Sequence, residues 1–99
     1  MCRKYEGIFI IKNMEDSKKI EEIINIINNM IASECCDIFH KEKLGVKDLV
    51  YEVKGHKKGY FYYIKFKVPD SLKDTGKISI KINTLEEIIK HMIFELKEI

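Results

Sequence analysis

The spacing of apolar residues predicts a strand followed by a helix at the start of the chain. Residues 5–12 are mostly β-branched and aromatic, which is typical of a central strand. Asp16 and Ser17 can cap a helix whose apolar positions recur every three or four residues. We expect this helix to bury Ile20, Ile23, Ile24, Ile27, Met30 and Ile31.

The middle of the chain predicts a β-hairpin. Residues 36–53 have apolar positions at period two, and Gly45 interrupts them in the manner of a bulge or bend. Residues 54–59 contain two glycines and three lysines, which is typical of a loop, and the aromatic run over residues 60–68 predicts the next strand. We therefore expect a hairpin with a basic tip.

The C-terminal third supports two different predictions. In the first, residues 77–82 alternate as a strand, and Thr84 with Glu87 forms a capping box that opens a C-terminal helix. In the second, a helix covers roughly residues 70–88 and a last strand covers residues 91–97. Local sequence rules alone favour the C-terminal helix.

Composition limits the classes of protein. Ninety-nine residues predict a single domain, and the 45% hydrophobic content is sufficient for a core. We expect no membrane span, because no apolar run approaches ~18 residues. The first residues lack a signal-peptide cleavage pattern, so we expect the chain to stay in the cytoplasm.

Charge and cysteine usage add little chemistry. Eighteen basic and sixteen acidic residues give a net charge of +2, which does not by itself indicate nucleic-acid binding. Cys2, Cys35 and Cys36 are odd in number and offer no disulfide framework, so a reducing compartment is expected. Only His40 accompanies the Cys35–Cys36 pair at ligand spacing, and we predict no metal and no cofactor.

Alternation on the first strand and the aromatic strand predicts two faces of a sheet. One face packs under helices and carries Tyr5, Gly7, Phe9, Ile11, Tyr60, Tyr62, Ile64 and Phe66. The other face stays open and carries Glu6, Ile8, Ile10, Lys12, Phe61, Tyr63, Lys65 and Lys67. Exposed aromatic rings beside cations can stack bases and hold phosphates, or can pack on another protein. Either interpretation makes the open face a binding surface.

The expected basic tip has two interpretations as well. Lys54, His56, Lys57 and Lys58 can contact phosphates, which would position the chain on RNA without reading its sequence. A solvated, mobile hairpin tip without a ligand has the same composition.

Four blocks in order along the chain carry a family resemblance. They are Arg3-Lys4-Tyr5-Glu6, Gly45-x-Lys47-x-Leu49-x-Tyr51-Glu52-Val53-Lys54, residues 59–66 and residues 88–93. Together they resemble the bacterial small-subunit ribosomal protein six family. The resemblance implies an α+β, ferredoxin-like split β-α-β fold, with four antiparallel strands and two helices on one face. It also implies helix and then strand in the C-terminal third.

The resemblance further implies binding to small-subunit ribosomal RNA at a helical junction, together with small-subunit ribosomal protein eighteen. It extends the RNA-binding candidates beyond the tip to Arg3, Lys4, Lys47, Lys65 and Lys90. Ile8, Ile10, Phe61 and Tyr63 become candidate anchors for the partner protein. The chain departs from the family at Leu44, where tryptophan is frequent, at Val46 and Asp48, where cations are common, and at Asn13-Met14, where Pro-Asp is frequent.

Two other functional classes are weighed against this one. An acylphosphatase-like enzyme shares the topology but needs an arginine in a phosphate-binding loop, and Arg3 is the only arginine. His40, His56 and His91 match no catalytic motif, so we predict no catalytic residues. The second alternative is a ferredoxin-like regulatory or ligand-binding module that dimerises through its sheet.

Overall fold

The computed structural model describes residues 2–34, 37–69 and 76–96. Its strands are β1 (Cys2–Lys12), β2 (Asp37–Val53), β3 (His56–Pro69) and β4 (Ile88–Glu95). Its helices are α1 (Ser17–Glu34) and α2 (Gly76–Asn83). The order is strand, helix, strand, strand, helix, strand.

The four strands form one antiparallel sheet in the order β2-β3-β1-β4. In the central pair, Glu6 lies opposite Lys65 and Ile10 lies opposite Phe61. Isoleucines from both helices join one core cluster with inward side chains of β1 and β3, so both helices cover the same face. This arrangement confirms the α+β ferredoxin-like fold and leaves the other face of the sheet open.

Helix α1 forms for the reasons that its sequence suggests. The Asp16 carboxylate accepts a hydrogen bond from the Lys18 backbone amide at 2.9 Å, which satisfies an unpaired donor of the first turn. The apolar stripe faces the sheet, with Met30 partly buried and with Ile20, Ile23, Ile24, Ile27 and Ile31 buried. Each buried isoleucine contributes about 1.5–3 kcal/mol.

The predicted inward face of the sheet is confirmed. Phe9, Ile11, Ile64 and Phe66 are fully buried, and Tyr5 and Tyr62 are nearly so. Tyr60 is partly buried and packs against the same cluster. Period-two alternation therefore places these side chains correctly.

The C-terminal third folds as helix and then strand, so the predictions of a strand over residues 77–82 and of a C-terminal helix are wrong. Ile78 and Ile82 are fully buried one helical turn apart, whereas Ile80 between them is 67% exposed. The same three isoleucines that alternate in sequence thus also fit a helix with one buried side. Residues 70–75, where the predicted helix would begin, lie outside the described residues.

Thr84 ends α2 instead of opening another helix. Its hydroxyl donates a hydrogen bond to the Lys81 carbonyl oxygen at 2.6 Å, and its backbone amide donates to the same carbonyl at 3.2 Å. These bonds satisfy a C-terminal carbonyl that has no partner within the helix. The capping-box spacing of Thr84 and Glu87 is therefore misleading.

The β2–β3 turn is shorter than the predicted loop over residues 54–59. Only Lys54 and Gly55 form the turn, and both have positive φ angles, 50° and 82°. Two successive positive φ angles fit a tight hairpin turn, and glycine adopts one of them without strain. His56, Lys57 and Lys58 consequently belong to β3, which is a correction to the predicted loop.

Irregular pairing bends the long hairpin. Gly45 has a φ of 84° where the β2–β3 register shifts, which confirms the predicted bulge. A second irregularity separates the pairs Asp48–Lys58 and Val53–His56. We call residues 48–58 the hairpin end.

Within the described residues, no helix is long and apolar enough to cross a membrane.

Candidate nucleic-acid interface

The open face of the sheet brings aromatic rings and cations together. On β3, Phe61 and Tyr63 alternate with inward residues, and Lys65 and Lys67 continue the row. Phe39 on β2 adds a ring that is 42% exposed. The face therefore offers flat apolar surfaces beside positive charge.

Each of these rings has a lysine over its face. The ammonium of Lys47 lies 5.9 Å from the ring centroid of Phe61, and that of Lys65 lies 5.9 Å from Tyr63. Lys4 and Lys67 lie 6.0 Å and 5.7 Å from the centroid of Phe39. Such contacts are weak at exposed sites, about 0.5–1 kcal/mol each, so an incoming anion can attract the ammonium groups.

A hydrogen bond crosses the middle of the open face. The Tyr63 hydroxyl donates to the Glu6 carboxylate at 2.5 Å. This bond raises the pKa of Tyr63 to about 12, and partial desolvation and the charges of Glu6 and Glu42 act in the same direction. The His40 ring meets Tyr63 edge to face at 5.9 Å. The Glu6 carboxylate on β1 thus keeps the Tyr63 hydroxyl protonated as a hydrogen-bond donor.

The structure distributes the predicted RNA-binding residues over three places. Lys4, Lys47 and Lys65 lie on the open face through their ring contacts, and Lys90 lies opposite Ile10 on β4. A second group occupies the hairpin end and comprises Lys54, His56, Lys57 and Lys58. Arg3 is separate, since its guanidinium lies 5.9 Å from the ring of the core residue Tyr5.

Three of the four predicted partner anchors are accessible. Ile8, Phe61 and Tyr63 are partly exposed on β1 and β3. The expectation that Ile10 is also an exposed anchor is wrong, because Ile10 is only 4% exposed. A Cβ atom added to Gly59 would lie 2.4 Å from the Ile10 Cγ2 atom, so Ile10 packs directly on the glycine backbone.

A groove of about 340 Å³ lies between the hairpin end and part of the open face. We call this space the hairpin groove. Three residues of the sheet and two flanking lysines contribute to it, namely Ile10, Phe61, Met92, Lys47 and Lys90. The hairpin end supplies Asp48, Leu49, Val50, Tyr51 and Val53. Ile10 and the hairpin end therefore line the same groove.

Sequence reasoning missed the hairpin groove. Its apolar lining includes Leu49, Val50, Tyr51 and Val53, which the sequence pattern assigns only to a strand, and Met92, which local rules would place on the apolar face of a C-terminal helix. The sequence contains one signal. Val50 and Tyr51 are adjacent, so a regular strand points their side chains to opposite faces of the sheet and cannot bury both on one face. In the structure they are 90% and 81% exposed, respectively.

A second cleft, of about 490 Å³, lies between α1 and β2 and is polar. The Tyr62 hydroxyl donates to the Asn28 side-chain oxygen at 2.7 Å, and the Lys43 ammonium donates to the Glu21 carboxylate at 2.6 Å. Burial raises the pKa of Tyr62, and the bond to Glu21 raises the pKa of Lys43. The polar groups of this cleft are thus paired with one another, and their hydrogen bonds connect α1 to the sheet.

The His91 side chain packs against a core residue of the sheet. The His91 ring stacks on Phe9, with centroids 6.4 Å apart and planes 15° apart. Burial lowers the pKa of His91, and the charge of Lys54 adds to this effect. Among the residues that the structure describes, no three histidine, cysteine, aspartate or glutamate side chains cluster as metal ligands. Cys35 and Cys36 lie outside the described residues.

Comparisons with known proteins agree with this architecture. The family model described as "Ribosomal protein S6" matches residues 4–95. The chain is 31% identical over 97 residues to the small ribosomal subunit protein bS6 of Aster yellows witches'-broom phytoplasma, covering 97% of this chain and 99% of that protein. It is 28% identical over 97 residues to the bS6 protein of Acholeplasma laidlawii, covering 97% of each chain.

A solved structure gives the same result for the fold. The crystal structure of 30S ribosomal protein S6 from Thermotoga maritima superposes with a TM-score of 0.87 at 22% identity, covering 97% of this chain and 89% of that one. The family model covers residues 4–95, and the phytoplasma protein is 31% identical over nearly the whole of both chains. The chain therefore belongs to the ribosomal protein S6 family.

Proposed function

We propose that this chain is a structural component of the small ribosomal subunit that binds small-subunit ribosomal RNA through its open face and hairpin end. The observation that carries the proposal is the set of lysines placed over the aromatic rings of the open face. Membership of the family supports it, since the family is structural and not enzymatic. That membership also confirms the prediction that the chain is not an enzyme.

The chemistry of the surface indicates how RNA would be held. Lysine is a compact point charge, so these side chains would contact phosphates without selecting a base. Each phosphate contact releases condensed counterions, and the affinity would fall steeply with salt. We therefore expect the open-face lysines to contribute affinity and the shape of the RNA junction to contribute specificity.

We also propose that small-subunit ribosomal protein eighteen binds beside the RNA. The partly exposed Ile8, Phe61 and Tyr63 form an apolar strip between the cations, and apolar patches of this kind mark protein interfaces. Two partners would then share the open face, with protein eighteen on Ile8 and Tyr63 and with Phe61 at its border with the RNA. Assembly into ribosomes would place the chain in the cytoplasm.

The test is sedimentation of cell lysate through a sucrose gradient at low and high magnesium, with the tagged chain detected in each fraction. We expect it to migrate with the small subunit. The variant pair Lys65→Gln and Lys67→Gln removes two charges from the open face, and Lys18→Gln with Lys19→Gln removes two from α1 as the matched control. We expect only the open-face variant to move toward the top of the gradient.

Binding to purified small-subunit ribosomal RNA supplies the second measurement. The slope of log affinity against log salt should fall by about 0.9 for each phosphate in a helical region that a variant no longer neutralises. The affinity is then measured again with protein eighteen present, which we expect to increase it. A wild-type chain found only at the top of the gradient, with no salt-dependent RNA affinity, would favour a free ligand-binding module instead.

A further inference from the structure

The hairpin groove combines an apolar interior with cations from two different strands. Its volume of about 340 Å³ lies at the lower end of the range of small-ligand sites, about 300–1,000 Å³. Phe61, Met92 and Ile10 form the side belonging to the sheet, and the apolar residues of the hairpin end form the opposite side. An apolar group in the groove would thus contact apolar side chains of the sheet and of the hairpin end.

The charge around the groove is positive. Lys47 on β2 and Lys90 on β4 are both exposed and both line it. Among the described residues, Asp48 is the one acidic member of this lining, and its carboxylate lies 4.0 Å from the Lys58 ammonium. A purely apolar ligand would leave the two lysines unused, and a simple anion would leave the apolar interior unused.

We propose that the hairpin groove binds a single unpaired nucleotide that is turned out of the RNA helix. The base would insert between Phe61 and the hairpin end, and its phosphate would lie near Lys47 and Lys90. This inference rests on the proposed RNA-binding function and specifies the form of the RNA. It requires an extruded base, because a paired base is stacked in its helix and cannot enter.

The contact between Lys47 and Phe61 gives the binding step a physical basis. The Lys47 ammonium lies 5.9 Å from the Phe61 ring centroid before RNA arrives. A base that stacks on the ring displaces this weak contact, and the phosphate of the same nucleotide then offers the ammonium a stronger partner. These two events favour a ligand that carries both a base and a phosphate.

The experiment is an NMR titration of the ¹⁵N-labelled chain with adenosine 5′-monophosphate and uridine 5′-monophosphate. We expect backbone amide shifts concentrated at Leu49, Phe61 and Met92. Adenosine supplies the base alone and ribose 5-phosphate supplies the phosphate alone. Without the phosphate, binding should weaken about two- to fivefold, and without the base it should weaken by at least about fivefold.

Variants separate the groove from general attraction. Lys47→Gln and Lys90→Gln should each weaken nucleotide binding about two- to fivefold, whereas the matched control Lys18→Gln on α1 should leave it unchanged. Phe61→Leu keeps an apolar side chain and removes the ring, and it should weaken binding by at least about fivefold. The amide spectrum of each variant verifies that it is folded, and the exposed lysines keep the test valid if Phe61→Leu unfolds.

Several results would overturn the proposal. Shifts outside the hairpin groove, equal effects of the three lysine variants, or tighter binding of an acidic, leucine-rich peptide than of nucleotides would each do so. The same proteins are tested on small-subunit ribosomal RNA. Retained RNA binding without nucleotide binding in the groove refutes this inference alone, and loss of both refutes the proposed function as well.

Discussion

Replacing Gly59 with alanine tests how closely Ile10 of β1 packs on the backbone of β3. The new Cβ atom would lie 2.4 Å from Ile10 Cγ2, whereas carbon atoms in contact are normally about 3.5–4.0 Å apart. The Ile10 atom is a methyl group on a stiff β-branched side chain, so it cannot rotate away cheaply. Overpacking of this kind costs about 1–3 kcal/mol, and the lower flexibility of the unfolded alanine chain returns about 0.5–1 kcal/mol.

Taken at mid-range, these two effects leave a loss of about 1 kcal/mol in the free energy of unfolding, measured by urea denaturation. Ile10→Ala removes the obstructing methyl group and supplies the control in a double-mutant cycle. Gly59→Ala should cost about 1 kcal/mol less in the Ile10→Ala background than in the wild type. A neutral Gly59→Ala variant, or an equal cost in both backgrounds, would refute this account of the packing.

Three further predictions concern a cap, a titration and the hairpin end. Asp16→Ala should lower the free energy of unfolding by about 1 kcal/mol, and denaturant unfolding that shows no such decrease would contradict the cap. Tyr63, with its pKa raised to about 12, should titrate near pH 12, so its contribution to stability is complete below pH 10 and is lost as pH rises through 12. Ultraviolet titration of Glu6→Ala should move one tyrosine to lower pH, and an unchanged curve would contradict the hydrogen bond. Replacing Lys57 and Lys58 with alanine should weaken RNA binding evenly across sequences. The slope of log affinity against log salt should fall by about one for each of these lysines that binds a phosphate. Unchanged binding at low salt would show that the hairpin end does not contact RNA.

The first half of the fold could be predicted because each signal there is local. The cap at Asp16 and the isoleucine stripe of α1 are sufficient to define a helix, and that helix forms. The inward and outward faces of β1 and β3 follow from period-two alternation, which is a property of the extended backbone. Burial of Tyr5, Phe9 and Phe66 agrees with this alternation.

The C-terminal third could not be predicted from local rules, because three isoleucines satisfy two periods at once. Ile78, Ile80 and Ile82 alternate as in a strand, yet a helix buries the first and third and exposes the second. The choice depends on the sheet, in which β4 pairs with the remaining edge of β1 while α2 joins α1 in covering the inward face. Only the family resemblance carries that information at the level of sequence.

The hairpin groove was beyond prediction for a different reason, which also explains the burial of Ile10. Alternation correctly places Ile10 away from the helices, but exposure depends on what lies above a side chain. Ile10 packs on the Gly59 backbone and lines the same groove as the hairpin end, which follows the bulge at Gly45 and the irregular pairing between Asp48 and Val53. Bulges redirect a strand by an angle that no local pattern encodes. A residue expected to anchor a partner thus lines a groove, and that groove is where we propose that a single base binds beside the open-face lysines.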